Sequence, residues 1–360
     1  MSQVTERDVM SALSKVNDPE LHRDLVSLGM VQNVRLLPGG GVKLRIDLTT
    51  PACPMKGKIQ GDVDAALRAL PGVNSVELEW GAQVRKGQAA AKGAFIPGVK
   101  HVVLVGAGKG GVGKSTVALN LAAALRLEGA SVGLLDADFY GPSVPIMTGL
   151  SGKPTSKDGK TLEPLDAHGL KVMSIGFLVD PDQAMVWRGP MLHSAITQLL
   201  RDVNWGELDY LVLDLPPGTG DVPLSLTQLV NAAGVVLVST PQDVALADVV
   251  KAKAMFDRVS VPILGIVENM SEFVCPHCHQ GTPIFDTGGA GRAAEAMKIP
   301  LLGRIPLDLA IRMGGDRGIP VTVEHPDSKQ AGAFREMARN IAGRVSVAAM
   351  DTKLPVFKLG

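Results

Sequence analysis

Hydrophobic and polar positions follow different patterns on the two sides of residues 81–98. Ahead of that stretch, Thr5-Glu6-Arg7-Asp8 has the form of a capping box and predicts a helix over 5–16. Two strand-like runs, 31–37 and 42–49, flank Pro38-Gly39-Gly40-Gly41 and predict a hairpin. A helix over 55–70 and a strand over 73–80 complete a small α/β unit, residues 1–80. Residues 81–98 show no apolar periodicity and read as a linker. Beyond them, strands are expected at 101–105, 131–136, 170–175, 210–215, 234–240, 262–268 and 301–305. Helices are expected at 114–127, 190–203, 223–231, 244–259, 290–297 and 328–344. Strands alternating with helices form a parallel sheet covered on both faces. The expected fold class is therefore α/β, with a mostly parallel sheet over 99–346 and an appended tail at 347–360.

Composition narrows the classes of function. At 360 residues, 46% of them hydrophobic, the chain can bury a sizeable core, and its length suggests roughly two or three domains. Net charge is zero, so nothing global draws the chain to nucleic acid or an anionic membrane. The first residues lack a basic start followed by an apolar run, and no run is long enough to span a bilayer. Three cysteines cannot form a disulfide framework, so a cytoplasmic, reducing setting is expected.

Gly108-Lys109-Gly110-Gly111-Val112-Gly113-Lys114-Ser115-Thr116 fits G-x-x-x-x-G-K-[ST], between an expected strand and an expected helix. Glycines let consecutive backbone N–H groups turn toward an anion, and the helix start adds its positive dipole end. Lys114 is expected to reach the β- and γ-phosphates and Ser115 to complete a Mg²⁺ shell. Asp214 ends an apolar strand in the Walker B manner, as a second metal-holding group. The loop 215–221 after it, stiffened by Pro216 and Pro217 and jointed by Gly218 and Gly220, suits a phosphate-responsive switch. Asp136 and Asp138 close another strand at the sheet's carboxyl edge, where ligands bind. Asp138 is expected to position or activate water, and Asp136 to support the metal shell.

Cys275-Pro276-His277-Cys278 supplies half of a four-thiolate site, and two chains about a twofold axis would supply the whole. On the residues alone, zinc held by both cysteines with His277, His279 or a symmetry mate stands level with an iron–sulfur cluster. Thiol redox chemistry ranks behind both, because His279-Gln280-Gly281-Thr282-Pro283 reads as a turn rather than a helix start. Inert packing is the third alternative. Cys53, between Pro51 and Pro54, reads as either an exposed thiol on a rigid turn, able to accept or pass on iron or cluster, or, with at least equal weight, a buried structural thiol. Trp80, Trp187 and Trp205 are expected in a core or a domain interface.

Lys109, the P-loop, the Asp136-Ala137-Asp138 strand end and Asp214-Leu215-Pro216-Pro217-Gly218 together resemble the deviant Walker A ATPases of the ParA/MinD type. Within that class, Thr219-Gly220-Asp221, Glu268-Asn269-Met270 and the cysteine pair resemble the Mrp/ApbC branch of iron–sulfur cluster carriers, over about 99–344. Residues 49–54 give the first unit a resemblance to a small domain of iron–sulfur assembly factors. The resemblance implies an ATPase homodimer bridged by a [4Fe–4S] cluster on Cys275 and Cys278, delivered from an upstream donor to apo-proteins. It implies that Lys109 contacts the partner's nucleotide and that Asn269 reads adenine, with Pro306 and Asp308 lining the base pocket. It extends to Arg188-Gly189-Pro190-Met191 a place on the dimer surface. The rival functions are a ParA/MinD-like organiser on DNA or membrane, against which the weakly periodic tail counts, and a zinc or nickel maturation factor.

Overall fold

The computed structural model describes residues 4–86, 96–179, 189–278, 280–286 and 288–350, divided between two units. Half of the stretch expected as a linker, residues 87–95, and with it Trp187, Arg188, His279 and residues 351–360, lies outside the described residues.

The first unit holds α1 (Glu6–Leu13), β1 (Val31–Leu37), β2 (Gly41–Leu48), α2 (Lys56–Arg68) and β3 (Ser75–Ala82). Thr5 caps α1 through the reciprocal bonds of a capping box: its Oγ1 accepts from Asp8 N, and its own N–H donates to Asp8 Oδ2. β1 and β2 pair antiparallel, and α2 crosses over so that β3 runs parallel to β2. The hairpin turn needs glycine: Gly40 has φ +81, and a Cβ there would lie 2.2 Å from Gly72 O. Leu13, Leu25, Leu44, Ile46, Ile59 and Leu67 are fully buried, each contributing about 1.5–3 kcal/mol of transfer free energy. The chain rejoins this unit at Ala342, and Met350 packs on the same core. The last helix therefore continues to Met350, where the sequence pattern suggested an end at 344 and a tail from 347. Its continuation follows from apolar residues near its end that have a core to cover.

The second unit runs β4 (Val99–Ala107), α3 (Lys114–Leu127), β5 (Val132–Asp136), α4 (Val144–Thr148), β6 (Leu165–Ala167), β7 (Leu170–Ser174), α5 (Gly189–Arg201) and β8 (Leu208–Asp214). It goes on through α6 (Asp221–Leu229), β9 (Ala232–Ser239), α7 (Asp243–Arg258), β10 (Ile263–Val274), β11 (Gly281–Thr282), α8 (Gly289–Met297), β12 (Leu301–Leu307), α9 (Leu309–Arg317), α10 (Val321–Glu324) and α11 (Lys329–Met350), the last of which belongs to this unit as far as Ile341. Strand order is β11-β10-β9-β4-β8-β5-β7-β6, with β12 on β10. β6 and β11 run antiparallel to their neighbours; the other pairs are parallel. β4 sits between β8 and β9, so the loop after it opens where connections diverge to the two sides of the sheet. Residues Val117 to Leu125 of α3 are all buried, which fixes the P-loop helix against the sheet. Trp205 is buried, while Trp80 is half-buried beneath the Lys56 ammonium, 5.2 Å from its ring.

Candidate functional site

Loop 108–113 leaves β4 and enters α3 through two glycines with positive φ, Gly111 (+80) and Gly113 (+79), the latter at the helix N-cap. Gly108 is required by close approach, since a Cβ would lie 2.3 Å from the Asp248 carbonyl carbon of α7. Val112 is buried, Gly110 and Gly111 are exposed, and Lys109 is half-buried with no ion pair to a described residue. Lys114 is buried. Its Nζ donates to Asp214 Oδ1 at 2.5 Å and to Ser115 Oγ at 3.2 Å, and lies 3.8 Å from Asp138 Oδ2. Ser115 and Thr116 are half-buried on the first turn of α3. Removing one partner of a buried pair such as Lys114–Asp214 costs about 3–5 kcal/mol, because the other charge is stranded.

Asp136 and Asp214 are register partners on β5 and β8, both fully buried. Burial raises the pKa of each; the neighbouring Asp214 pushes Asp136 further up, while Lys114 draws Asp214 back. Asp214 Oδ2 is buried with no hydrogen-bond partner among the described residues. Asp136 is fully engaged: Oδ1 accepts from Asp138 N, and Oδ2 from Val144 N and Ser174 Oγ. The site thus gathers three carboxylates around one ammonium. The loop after β8 is tied back to β4 by Leu215 N to Val105 O and Gly218 N to Ala107 O.

Asn269 of β10 reaches the same loop. Its Nδ2 donates to Val112 O at 2.9 Å, in the space that a Cβ on Gly113 would fill. Asp308 and Pro306 lie at the end of β12 and do not join this cluster. Asp308 caps α9, accepting from Ala310 N and from Gln330 Nε2. Pro306 lines a cavity of about 920 Å³ with Glu268, Ser271, Arg304 and Lys329.

β10 continues past Asn269, through Met270 at φ +56, to the cysteine turn, and returns as β11. Cys275 N donates to Gln280 O, closing the turn. Cys275 is half-buried and Cys278 exposed. The backbone N–H groups of Cys278 and His277, then the Cys278 thiol, hold the Cys275 pKa below its ordinary value. Among the described residues, no third His, Cys, Asp or Glu gathers into a metal-binding group.

The structure decides between the two readings of Cys53. It is buried, with Thr50 and Ala52 beside it at 0%, and burial pushes its thiol up to about 11. The two prolines stiffen a turn that packs into the core of the first unit instead of projecting from it. Ser174 and Glu268 carry contacts that sequence reasoning did not assign. Glu268, buried in the strand, accepts from Ala290 N and Arg304 Nε. Strand register alone reveals Ser174, because Asp136 and Ser174 are paired across β5 and β7.

A family model described as NUBPL iron-transfer P-loop NTPase matches residues 98–342, and one described as iron-sulfur cluster assembly protein matches 6–79. An iron-sulfur cluster carrier protein of Deinococcus radiodurans is 54% identical over 97% of this chain and 99% of its own. The iron-sulfur cluster transfer protein NUBPL of Dictyostelium discoideum is 46% identical, over 84% of this chain and 94% of its own. A nucleotide-binding protein of Archaeoglobus fulgidus, solved in complex with ADP, is 42% identical and covers 66% of this chain and 92% of its own, with a TM-score of 0.57. Among the described residues, no helix is long and apolar enough to cross a membrane. With its P-loop site and a family model over most of its length, the chain belongs to the NUBPL iron-transfer P-loop NTPase family.

Proposed function

We propose that this protein is an ATP-dependent carrier that takes up a labile [4Fe–4S] cluster on Cys275 and Cys278 of two subunits and passes it to apo-proteins. One observation carries the reading: β10 bears both Asn269, bonded to the P-loop, and the cysteine turn at its far end. A change at the phosphates that moves Val112 acts on the strand that ends at the cargo thiols. Two thiolates from each chain make the four ligands the cluster needs.

In the nucleotide site, Lys114 and the backbone N–H groups of loop 108–113 hold phosphate, together with Ser115 and Thr116 at the helix start. Mg²⁺ fits the residues present. Asp214 Oδ2 is a buried acceptor without a partner among the described residues, Ser115 lies beside it, and three carboxylates exceed one ammonium. Ser115 and Asp214 would hold the ion, with Asp136 supporting them from behind. When bound, it would supply positive charge to offset the charge developing on the phosphate oxygens. Asp138 orients the attacking water, and Lys109 reaches across to the partner's phosphates. Asn269 keeps Oδ1 as an acceptor for the adenine amine, which favours ATP over GTP, and Pro306 and Asp308 lie on the base side. Hydrolysis is slow and coupled to loading or release of cluster.

The test is anaerobic reconstitution with iron and sulfide, followed by metal analysis and absorption spectroscopy. The unsubstituted protein should take up about four irons per dimer, and Cys275→Ala and Cys278→Ala should retain almost none. Uptake unchanged in both variants, or zinc bound in place of iron, would refute the reading.

A further inference from the structure

We infer that Ser174 is a positioning residue for nucleotide hydrolysis, acting through Asp136 on the loop that carries Asp138. This rests on the ATPase reading given above.

Residues 137–144 connect the end of β5 to α4. One carboxylate holds both ends of this loop: Asp136 Oδ1 accepts from Asp138 N at 3.1 Å, and Oδ2 accepts from Val144 N at 3.2 Å. The loop between those anchors carries Asp138, whose Oδ2 is 3.8 Å from the Lys114 ammonium, and Tyr140, which is 69% exposed. The position of Asp138 beside the Lys114 ammonium is therefore set by how the Asp136 carboxylate is turned.

Ser174 sets that orientation. Its Oγ donates to Asp136 Oδ2 at 3.0 Å and accepts from Gly176 N at 3.0 Å, so its donor and acceptor sides are both used. The second bond makes Ser174 the N-cap of the short 3₁₀ turn Ile175–Phe177, which fixes the hydroxyl rotor from the far side. Both side chains are wholly buried, so no exchange with solvent competes with the bond. Among the described residues, Ser174 is the only side chain that donates to Asp136; the other two donors are the backbone amides of Asp138 and Val144. Removing the hydroxyl leaves a buried carboxylate with one lone pair unpartnered and free to rotate toward the loop, carrying both anchor points with it. The hydrogen bonds of Ser174 go to Asp136 and Gly176, so its role is positioning and not catalysis.

The experiment compares Ser174→Ala and Ser174→Thr with the unsubstituted full-length protein. Three quantities are measured: steady-state hydrolysis, affinity for a fluorescent ATP analogue, and hydrogen exchange of the 137–144 backbone. Ser174→Ala should lower kcat about tenfold to a hundredfold, as expected when a reacting group is misplaced by a fraction of an ångström to one ångström. Its affinity for the analogue should stay within about twofold, since loop 108–113 and Lys114 are untouched. The amides of Asp138 and Val144 should exchange faster. Ser174→Thr keeps the hydroxyl and should restore both rate and protection. The inference fails if Ser174→Ala keeps its kcat, or if kcat, affinity and melting temperature all fall together as for simple loss of stability. It also fails if a folded Ser174→Thr is as slow as the alanine variant. Absence of hydrolysis by the unsubstituted protein would instead refute the ATPase reading. Exchange at 137–144 then decides the Ser174–Asp136 connection alone, and unchanged protection in Ser174→Ala overturns it.

Discussion

Cys53 and Cys278 are the same side chain in opposite surroundings, and the difference gives them different chemistry. Burial raises the Cys53 thiol from 9.0 to about 11, whereas Cys278 is exposed and Cys275 beside it is held below its ordinary value by backbone N–H groups. At pH 8 a chromogenic disulfide should therefore titrate two thiols of the folded protein quickly and the third only after denaturant is added. Equal reactivity of all three would contradict the burial of Cys53. The same shift has a consequence for stability. An acid whose pKa is higher when folded binds more protons in the folded state, so its contribution holds below pH 9 and is lost as pH rises from 9 toward 11. Cys53→Ala should flatten that alkaline limb in a denaturant-melt series. The sequence could not separate Cys53 from the other two, since its flanking prolines are equally compatible with a projecting turn and a packed one.

At the scale of elements, the P-loop and its helix were legible before any coordinates. Residues 114–127 are helical as the periodicity predicts, because an unbroken apolar face follows the glycine loop and nothing interrupts it. The pattern missed β11 with two residues, β6 with three, α10 with four and α4 with five, too few to show a period, and it also missed the nine-residue α9, whose Gly314 and Gly315 interrupt its apolar spacing. The far end of β10 was missed too, because Met270 adopts positive φ in mid-strand and polar residues follow it. Gly113 tests how tightly β10 and the loop are joined. With φ +79 and Asn269 Nδ2 only 2.2 Å from where a Cβ would lie, Gly113→Ala should weaken binding of a fluorescent ATP analogue by about tenfold or more. Gly61→Ala is the contrasting substitution. It lies inside α2 with nothing within 4 Å of its added Cβ, and should raise stability by about 0.5–1 kcal/mol without touching nucleotide affinity. Equal nucleotide binding by Gly113→Ala and the unsubstituted protein would show that the loop can move away from Asn269.

For the whole molecule, half-sites are the common theme. One chain offers two accessible thiols and a half-buried lysine, Lys109, that pairs with no described residue of its own chain. If the partner completes the nucleotide site, Lys109→Ala should bind ATP with near-normal affinity yet lose hydrolysis, whereas Lys114→Ala should lose both. Mixing the two variants should restore part of the activity, because each mixed dimer contains one site with an intact Lys114 and the partner's intact Lys109. No recovery on mixing, with dimers confirmed by light scattering, would place Lys109 in its own subunit's chemistry.

The sequence by itself determined the alternation of the main strands and helices, the phosphate loop, the acids at the strand ends and the paired cysteines. Each is a local matter: glycine conformations, apolar periods and the spacing of ligands are written within a dozen residues of one another. Tertiary structure decided which of these groups meet. It joined Asn269 to a loop 157 positions away, set Ser174 against Asp136 across two strands, and gave Lys114 to Asp214. It also buried Cys53 and carried the last helix to Met350. Register and burial depend on how distant segments pack, and a linear pattern carries no record of which strand lies beside which.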